Sequence, residues 1–410
     1  MKMKQTDSAP RDSSSQSGKS YILFLVFIAI LGAFSSLVND MYLPTIPHMV
    51  KEFHTNPSMT QMGLSMAMIG LGAGSVVWGS MSDHYGRKPI LVVSLIIFAA
   101  GTAVSLLSES IGFFIACRLL QGFGAGGGMV LSYSIPADIY GGRPLAKVMA
   151  LVGAINGIAP AASPLVGGFM ADSVGWRGIF MLLLALGVVM TIWALRRPES
   201  LPVARRMAGK SLADYWKAYV ALFANRRFMI YVLLKAIGVG LLYAYISSAP
   251  FIFQNHYGFS SLHFGLIFGG NAIAIAVGST LVMRFKVLKN GLVTGAALMS
   301  VCALAASWIM YHSMPFIFYE LTVIPMLAAS GMLFSSANSL GMEVGSSDAG
   351  TAGAILNVIK YIFAAIVAPL VGLGDIMRSS AICFAAVAII ALALAVPVLR
   401  LKPLSEMTRK

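Results

Sequence analysis

Apolar runs long enough to cross a bilayer recur along this chain, and no other feature limits its fold as severely. A hydrocarbon core needs about 20 apolar residues per helical pass, and in lipid only helices and closed barrels satisfy the backbone. "YILFLVFIAILGAFSSLV" (Tyr21–Val38) is the first such run. Twelve are found, at about 21–45, 58–80, 89–107, 111–136, 146–170, 178–195, 228–252, 264–284, 291–311, 315–336, 349–372 and 379–399. With 58% of residues hydrophobic and 11% charged, the chain has too little charge to cover a soluble surface of this size. An all-α integral membrane protein with twelve transmembrane helices is expected. The first run reads as a retained helix rather than a cleaved signal peptide, being longer than a usual signal core and lacking a small-residue cleavage site.

The even number of spans puts both termini on one side. Loops on that side hold 23 lysines and arginines, and the opposite loops hold only Lys51, Arg177 and Arg378. Basic loops remain cytoplasmic, so both termini are expected there. The net charge of +14 then reflects topology and contact with membrane lipids, and nucleic acid is not implied. The longest connection, Arg196 to Arg227, divides six spans from six. It contains an amphipathic stretch, "LADYWKAYVALF". The expected organisation is a Ser-rich disordered segment at 1–20, six spans at 21–196, a cytoplasmic linker at 197–227, six spans at 228–399 and a tail at 400–410.

Between spans two and three stands "GSMSDHYGRKP". Gly79 and Gly86 permit close approach and a tight turn. Asp83 can cap span three or pair with a base. Arg87 and Lys88 can reach carbonyls, a carboxylate or lipid phosphate. Such a cluster can act as a charged latch holding the two bundles in one state and releasing them in another. Asp138 and Arg143, at the end of span four, are candidate members.

The G-x-x-x-D-x-x-G-R-K spacing resembles the loop signature of the major facilitator superfamily. "GSTLVMRFKVLKNG" (Gly278–Gly291) is a faint echo in the second half and lacks the acid. "NDMYLPTIP", "CRLLQGFGAGGG", "GIAPAASPLVGG", "GWRGIF", "YISSAPFIFQNHYGFS" and "GTAGAILNVIKYIFAAIVAPLVG" together resemble the bicyclomycin/chloramphenicol resistance subfamily of drug:proton antiporters. The resemblance covers nearly the whole chain. It implies two pseudo-symmetric six-helix bundles around a central cavity, a bacterial inner membrane, a monomer, and small amphipathic solutes and protons as partners.

Charge inside a membrane is costly unless paired or hydrated. Asp40, near the outer end of span one, suits a group that loads and releases one proton per cycle, and resemblance to the family's acidic position supports this. Some relatives carry a second acid about two turns earlier; here that place is near Gly32 and no acid is present. Arg118 lies roughly 10 Å into span four at 1.5 Å per residue. With Gln121 and Gly122 it matches the family's R-x-x-Q-G pattern. Its expected role is to bias a nearby acid's proton affinity. Lys235 in span seven and Lys360 in span eleven occupy places where the family more commonly has neutral polar residues. Facing the cavity, they would favour anionic or zwitterionic solutes. Glu320 could pair with Lys360 or stand as a water-exposed interfacial acid.

In span five, Gly153, Gly157, Pro160, Pro164, Gly167 and Gly168 make a kinked, smooth-sided helix where the family places its antiporter motif. Its physical sense is a bendable contact sealing one side of the cavity; ordinary close packing is the alternative. A solute site is mostly apolar with a few polar groups. Asn39, Tyr42, Tyr133, Asn156, Tyr243, Tyr245, Gln254, Asn271, Asn338, Asn357 and Tyr361 are candidates. Cys117, Cys302 and Cys383 lie inside apolar runs without metal-ligand spacing. The six histidines fall in loops or at span ends, and no Walker-type phosphate loop occurs. No cofactor or metal is expected, and the proton gradient is the expected energy source. A proton-driven exporter is favoured over an importer on the same fold and over a membrane-embedded enzyme.

Overall fold

The computed structural model describes residues 18–203, 206 and 212–400. Expectations for the first 17 residues, for 204–205 and 207–211 of the linker and for the tail after residue 400 lie outside the described residues. The apolar runs all become helices: α1 (Gly18–Asp40), the short α2 (Ile46–Glu52), α3 (Pro57–Tyr85), α4 (Arg87–Leu106), α5 (Ile111–Ile139), α6 (Gly142–Leu195), α7 (Leu212–Ala224), α8 (Arg226–Phe251), α9 (Ser261–Leu281), α10 (Leu288–Tyr311), α11 (Phe316–Val344), α12 (Ala349–Leu370) and α13 (Ile376–Arg400). Their starts follow local chemistry. Asn56 accepts from Met59 N at 2.9 Å, with Pro57 in the first turn. Ser110, Asn225 and Ser260 cap α5, α8 and α9 in the same way.

Among the described residues, eleven helical stretches are long and apolar enough to cross a membrane, and one of them, α6, has 54 residues. A straight helix of that length would run about 80 Å, far beyond a bilayer. It reverses at Gly175, where φ is 61° and ψ is −168°, a conformation open to glycine. Spans five and six are therefore two arms of α6, and the expected twelve passes are present.

The turns sort into two ends. At one end Glu52 accepts from Trp176 Nε1 at 2.8 Å and from Arg177, and Arg177 donates to Ser108 O at 3.3 Å. At the other end the α3–α4 turn meets the ends of α5 and α6. We call these the far end and the basic end. The linker's amphipathic stretch forms α7 at the basic end. There Leu222 packs with Phe228, Val232, Ile355 and Leu356, while Val220 and Phe223 stay exposed.

Each half is welded by small residues. A Cβ on Gly74 would lie 2.1 Å from Phe123 O, and one on Gly122 would lie 2.1 Å from Ala67 O, so α3 and α5 touch backbone to backbone. The second half repeats this between α9 and α11: a Cβ on Gly278 would lie 1.8 Å from Ala328 O, and one on Gly331 would lie 2.1 Å from Ile275 O. This repetition is the pseudo-symmetry of two six-helix bundles.

Candidate functional site

The two halves meet over only part of their length. Along the pair formed by α6 and α9, a Cβ on Gly168 would approach Ser261 O at 2.5 Å, Gly265 abuts Pro164 O at 2.7 Å, and Gly269 abuts Ala161 O at 2.8 Å. One to two turns further toward the basic end the contact stops: Gly157 and Gly153 have no neighbouring atom within 4 Å of a Cβ position. The pair formed by α3 and α12 also loosens toward the basic end, where Gly350, near the start of α12, has no neighbouring atom within 4 Å of a Cβ position. It is tight where Gly372 faces Ser58 N at 2.3 Å and still touching where Gly72 meets Tyr361 at 3.4 Å. Hydrogen bonds across the halves, Gln61 Nε2 to Ser247 O at 2.7 Å and Gln254 Nε2 to Pro44 O at 2.9 Å, lie on the far-end side. The bundles form a V, closed at the far end and splayed at the basic end.

The span-five residues divide along this V. Pro164 and Gly168 belong to the seal, whereas Gly167 packs within the first half against Met41 O, just after α1. Pro160 is half-buried beside it. Gly153 and Gly157 face open space.

Asp40 ends α1 just inside the seal and is 6% exposed. Among the described residues it has no ion-pair partner. Tyr42 and Tyr243, one from each half, lie within its electrostatic reach. Arg118 is fully buried, and its donors go to Val38 O at 2.9 Å, Gly63 O at 3.3 Å and the Gln121 side chain. Gln121 in turn donates to Thr102 at 2.8 Å. The guanidinium stands 4.5 Å from the centroid of the Tyr42 ring. Arg118 thus grips the carbonyl two residues before Asp40, and Tyr42 is the side chain linking the two.

Below the seal the polar side chains from both halves face one another. Asn156 Nδ2 donates to Tyr133 Oη at 2.7 Å. Tyr361 Oη approaches Met129 Sδ at 3.6 Å across the halves, and Tyr133 and Tyr243 both lie within electrostatic reach of Tyr361. Lys235 Nζ donates to Asn338 Oδ1 at 2.7 Å, and Asn338 and Asn357 are exposed. Other candidates have structural duties. Tyr245 and Asn271 bond to each other at 2.9 Å between α8 and α9, with Tyr245 stacked on Phe268. Gln254 is used in the seal. Asn39 is 1% exposed, and its amide has no hydrogen-bond partner among the described residues. The pairing of Glu320 with Lys360 is not found: Glu320 lies beside Asn271 instead.

A family model of the Major Facilitator Superfamily matches residues 28–369. The chain belongs to this superfamily. An uncharacterised MFS-type transporter, YdgK, of Bacillus subtilis (strain 168) is 32% identical over 87% of this chain and 90% of the relative. A bicyclomycin resistance protein homolog of Haemophilus influenzae is 24% identical over 86% of this chain and 89% of the relative. The resemblance carried by the sequence motifs therefore stands, and this is a transporter rather than an enzyme. A bacterial homolog of the human lysosomal transporter Spinster, solved in an inward-facing, unoccupied conformation, shares the fold: TM-score 0.73 at 14% identity, covering 93% of this chain and 96% of that one.

The superfamily loop closes on Arg87. Its guanidinium donates to Asp138 at 2.8 Å, Asp83 at 2.6 Å and Ser82 at 2.7 Å. Asp83 pairs rather than caps. The cap of α4 is Glu199, which accepts from Arg87 N at 2.9 Å and Lys88 N at 3.2 Å and pairs with Arg206 at 3.5 Å. Gly86, at φ 102°, leaves room for Glu199, whose Oε2 would lie 2.4 Å from a Cβ there. Gly79 makes an ordinary contact with Val130.

Two expectations for this loop change. Arg143 is exposed and is not among the residues joined to Arg87. All partners of this turn belong to the first half or the segment after it, so here the latch does not tie the bundles together. The reasons are the splay at this end and the second half's turn, which has no acid; there Lys289 donates to Leu399 O at 3.0 Å.

Proposed function

We propose that this transporter is a proton-driven exporter of small amphipathic molecules, working by alternating access in a bacterial inner membrane with the basic end and both termini in the cytoplasm. It acts as a monomer and takes its energy from the proton gradient alone. One observation carries the reading: Asp40, the most deeply buried carboxylate among the described residues, sits where the halves converge, without a cation to neutralise it. A carboxyl so placed is sensitive to which side is open, because opening changes its access to water. Proton loading at Asp40 from the outside and release to the inside would alternate with solute leaving. Arg118 holds the end of α1 through Val38 O, positioning Asp40 relative to both bundles. The name of the bicyclomycin resistance relative supports drugs as solutes.

The test is transport in proteoliposomes under an imposed pH gradient, screening amphipathic drugs. The proposal expects protons and solute to move in opposite directions. Parallel movement would make the protein an importer, and solute flux indifferent to the gradient would remove the proton from the mechanism.

A further inference from the structure

Two lysine side chains lie deep in the second half without an acid to match them. Lys235 lies about 14 Å into α8 and Lys360 about 16 Å into α12, counting 1.5 Å per residue. Lys235 is 7% exposed and spends one donor on Asn338. Lys360 is half-buried, its Nζ 4.6 Å from the ring centroid of Tyr361. The two lie within electrostatic reach of one another. The ion pairs among the described residues are Arg87 with Asp83 and Asp138, Arg177 with Glu52, and Arg206 with Glu199, so neither lysine has a carboxylate partner.

Like charges at membrane depth repel and are poorly solvated. A neutral amide and an aromatic face compensate them only in part. An anion entering from the splayed end would meet both ammoniums, the Asn338 amide and an aromatic surface made by Tyr133, Tyr243 and Tyr361. That combination of an anionic head site and an aromatic wall has the character of a selective pocket.

We propose that Lys235 and Lys360 form the subsite for the carboxylate of an amphipathic organic anion, and that organic carboxylates are the solute class this transporter moves. The inference rests on the transport reading above but needs no proton coupling.

The experiment is equilibrium binding to the purified transporter without a pH gradient, with 2-naphthoate compared against 2-naphthamide, which has the same ring system and no charge. Naphthoate is expected to bind at least about tenfold more tightly, a difference of about 1.4 kcal/mol. Lys235→Gln and Lys360→Gln should each weaken naphthoate at least about tenfold and leave naphthamide unchanged. Without ligand, both variants should unfold at or above the wild-type temperature, because each relieves an unpaired charge. Lys360→Glu, which sets a carboxylate beside Lys235, should abolish the preference for naphthoate over naphthamide. Equal binding of naphthoate and naphthamide, no binding of naphthoate, or naphthoate affinity unaltered in the double glutamine variant would overturn the proposal. So would inorganic phosphate competing as well as naphthoate, which would mark a general anion site. Asp40→Asn should still bind naphthoate, so loss of proton coupling and loss of the anion site are separable results.

Discussion

At Arg87 one guanidinium serves two carboxylates of unequal burial. The side chains of Arg87 and Asp138 are 11% and 13% exposed, and that of Asp83 is 55% exposed. An exposed pair contributes about 0.2–1 kcal/mol, whereas removing one partner of a buried pair costs about 3–5 kcal/mol. Asp138→Asn is therefore expected to lower the thermal unfolding temperature and transport rate several times more than Asp83→Asn. Equal effects would contradict the burial argument, and a larger effect of Asp83→Asn would show that the loop motif's own acid, not the one from α5, holds the turn. Asp83 and Arg87 were legible because they lie within one motif. Glu199 was not, because a helix cap supplied from 112 residues away leaves no local pattern. Its only trace in the sequence is a lone acid among arginines, in "RRPESLPVARR".

Elements here are fitted together by what their glycines exclude. Gly74→Ala and Gly278→Ala would each drive a methyl into a carbonyl of the facing helix, and overpacking of this kind costs about 1–3 kcal/mol. Gly153→Ala and Gly157→Ala meet open space, and alanine is the better helix former by about 1 kcal/mol. The first two substitutions should reduce folded yield and melting temperature, and the last two should leave both unchanged or raise them. A reversed order, read by fluorescence size-exclusion chromatography and thermal scanning, would contradict the packing described. Glycine content could be read from the sequence, but which glycines face a partner could not: the span-five motif is one unbroken pattern, yet the halves part in its middle. Helix number was legible, and most limits to within about five residues, because many passes are bounded by a cap, a proline or a glycine; α11 runs to Val344, well past the expected 336. The short α2, which lies beyond the apolar core of the first run, was also missed.

For the molecule as a whole, the V is the property that matters. With Cys117, Cys302 and Cys383 replaced by serine, a single Gly157→Cys should react with a membrane-impermeant maleimide in everted vesicles and not in intact cells. Gln61→Cys, inside the seal, should be protected in both. The opposite pattern would reverse either the orientation or the splay. The twelve passes and the two-bundle plan followed from hydropathy, charge bias and motif resemblance. The degree of opening did not, because one sequence serves every state of a transporter and only the packing distinguishes them.

The most direct test of the account is the replacement of Asp40 by asparagine, assayed in proteoliposomes with an acid-outside gradient. The variant should bind solute and exchange it passively, yet fail to move it uphill, because the amide cannot carry a proton. Uphill transport by Asp40→Asn at the wild-type rate would contradict the account.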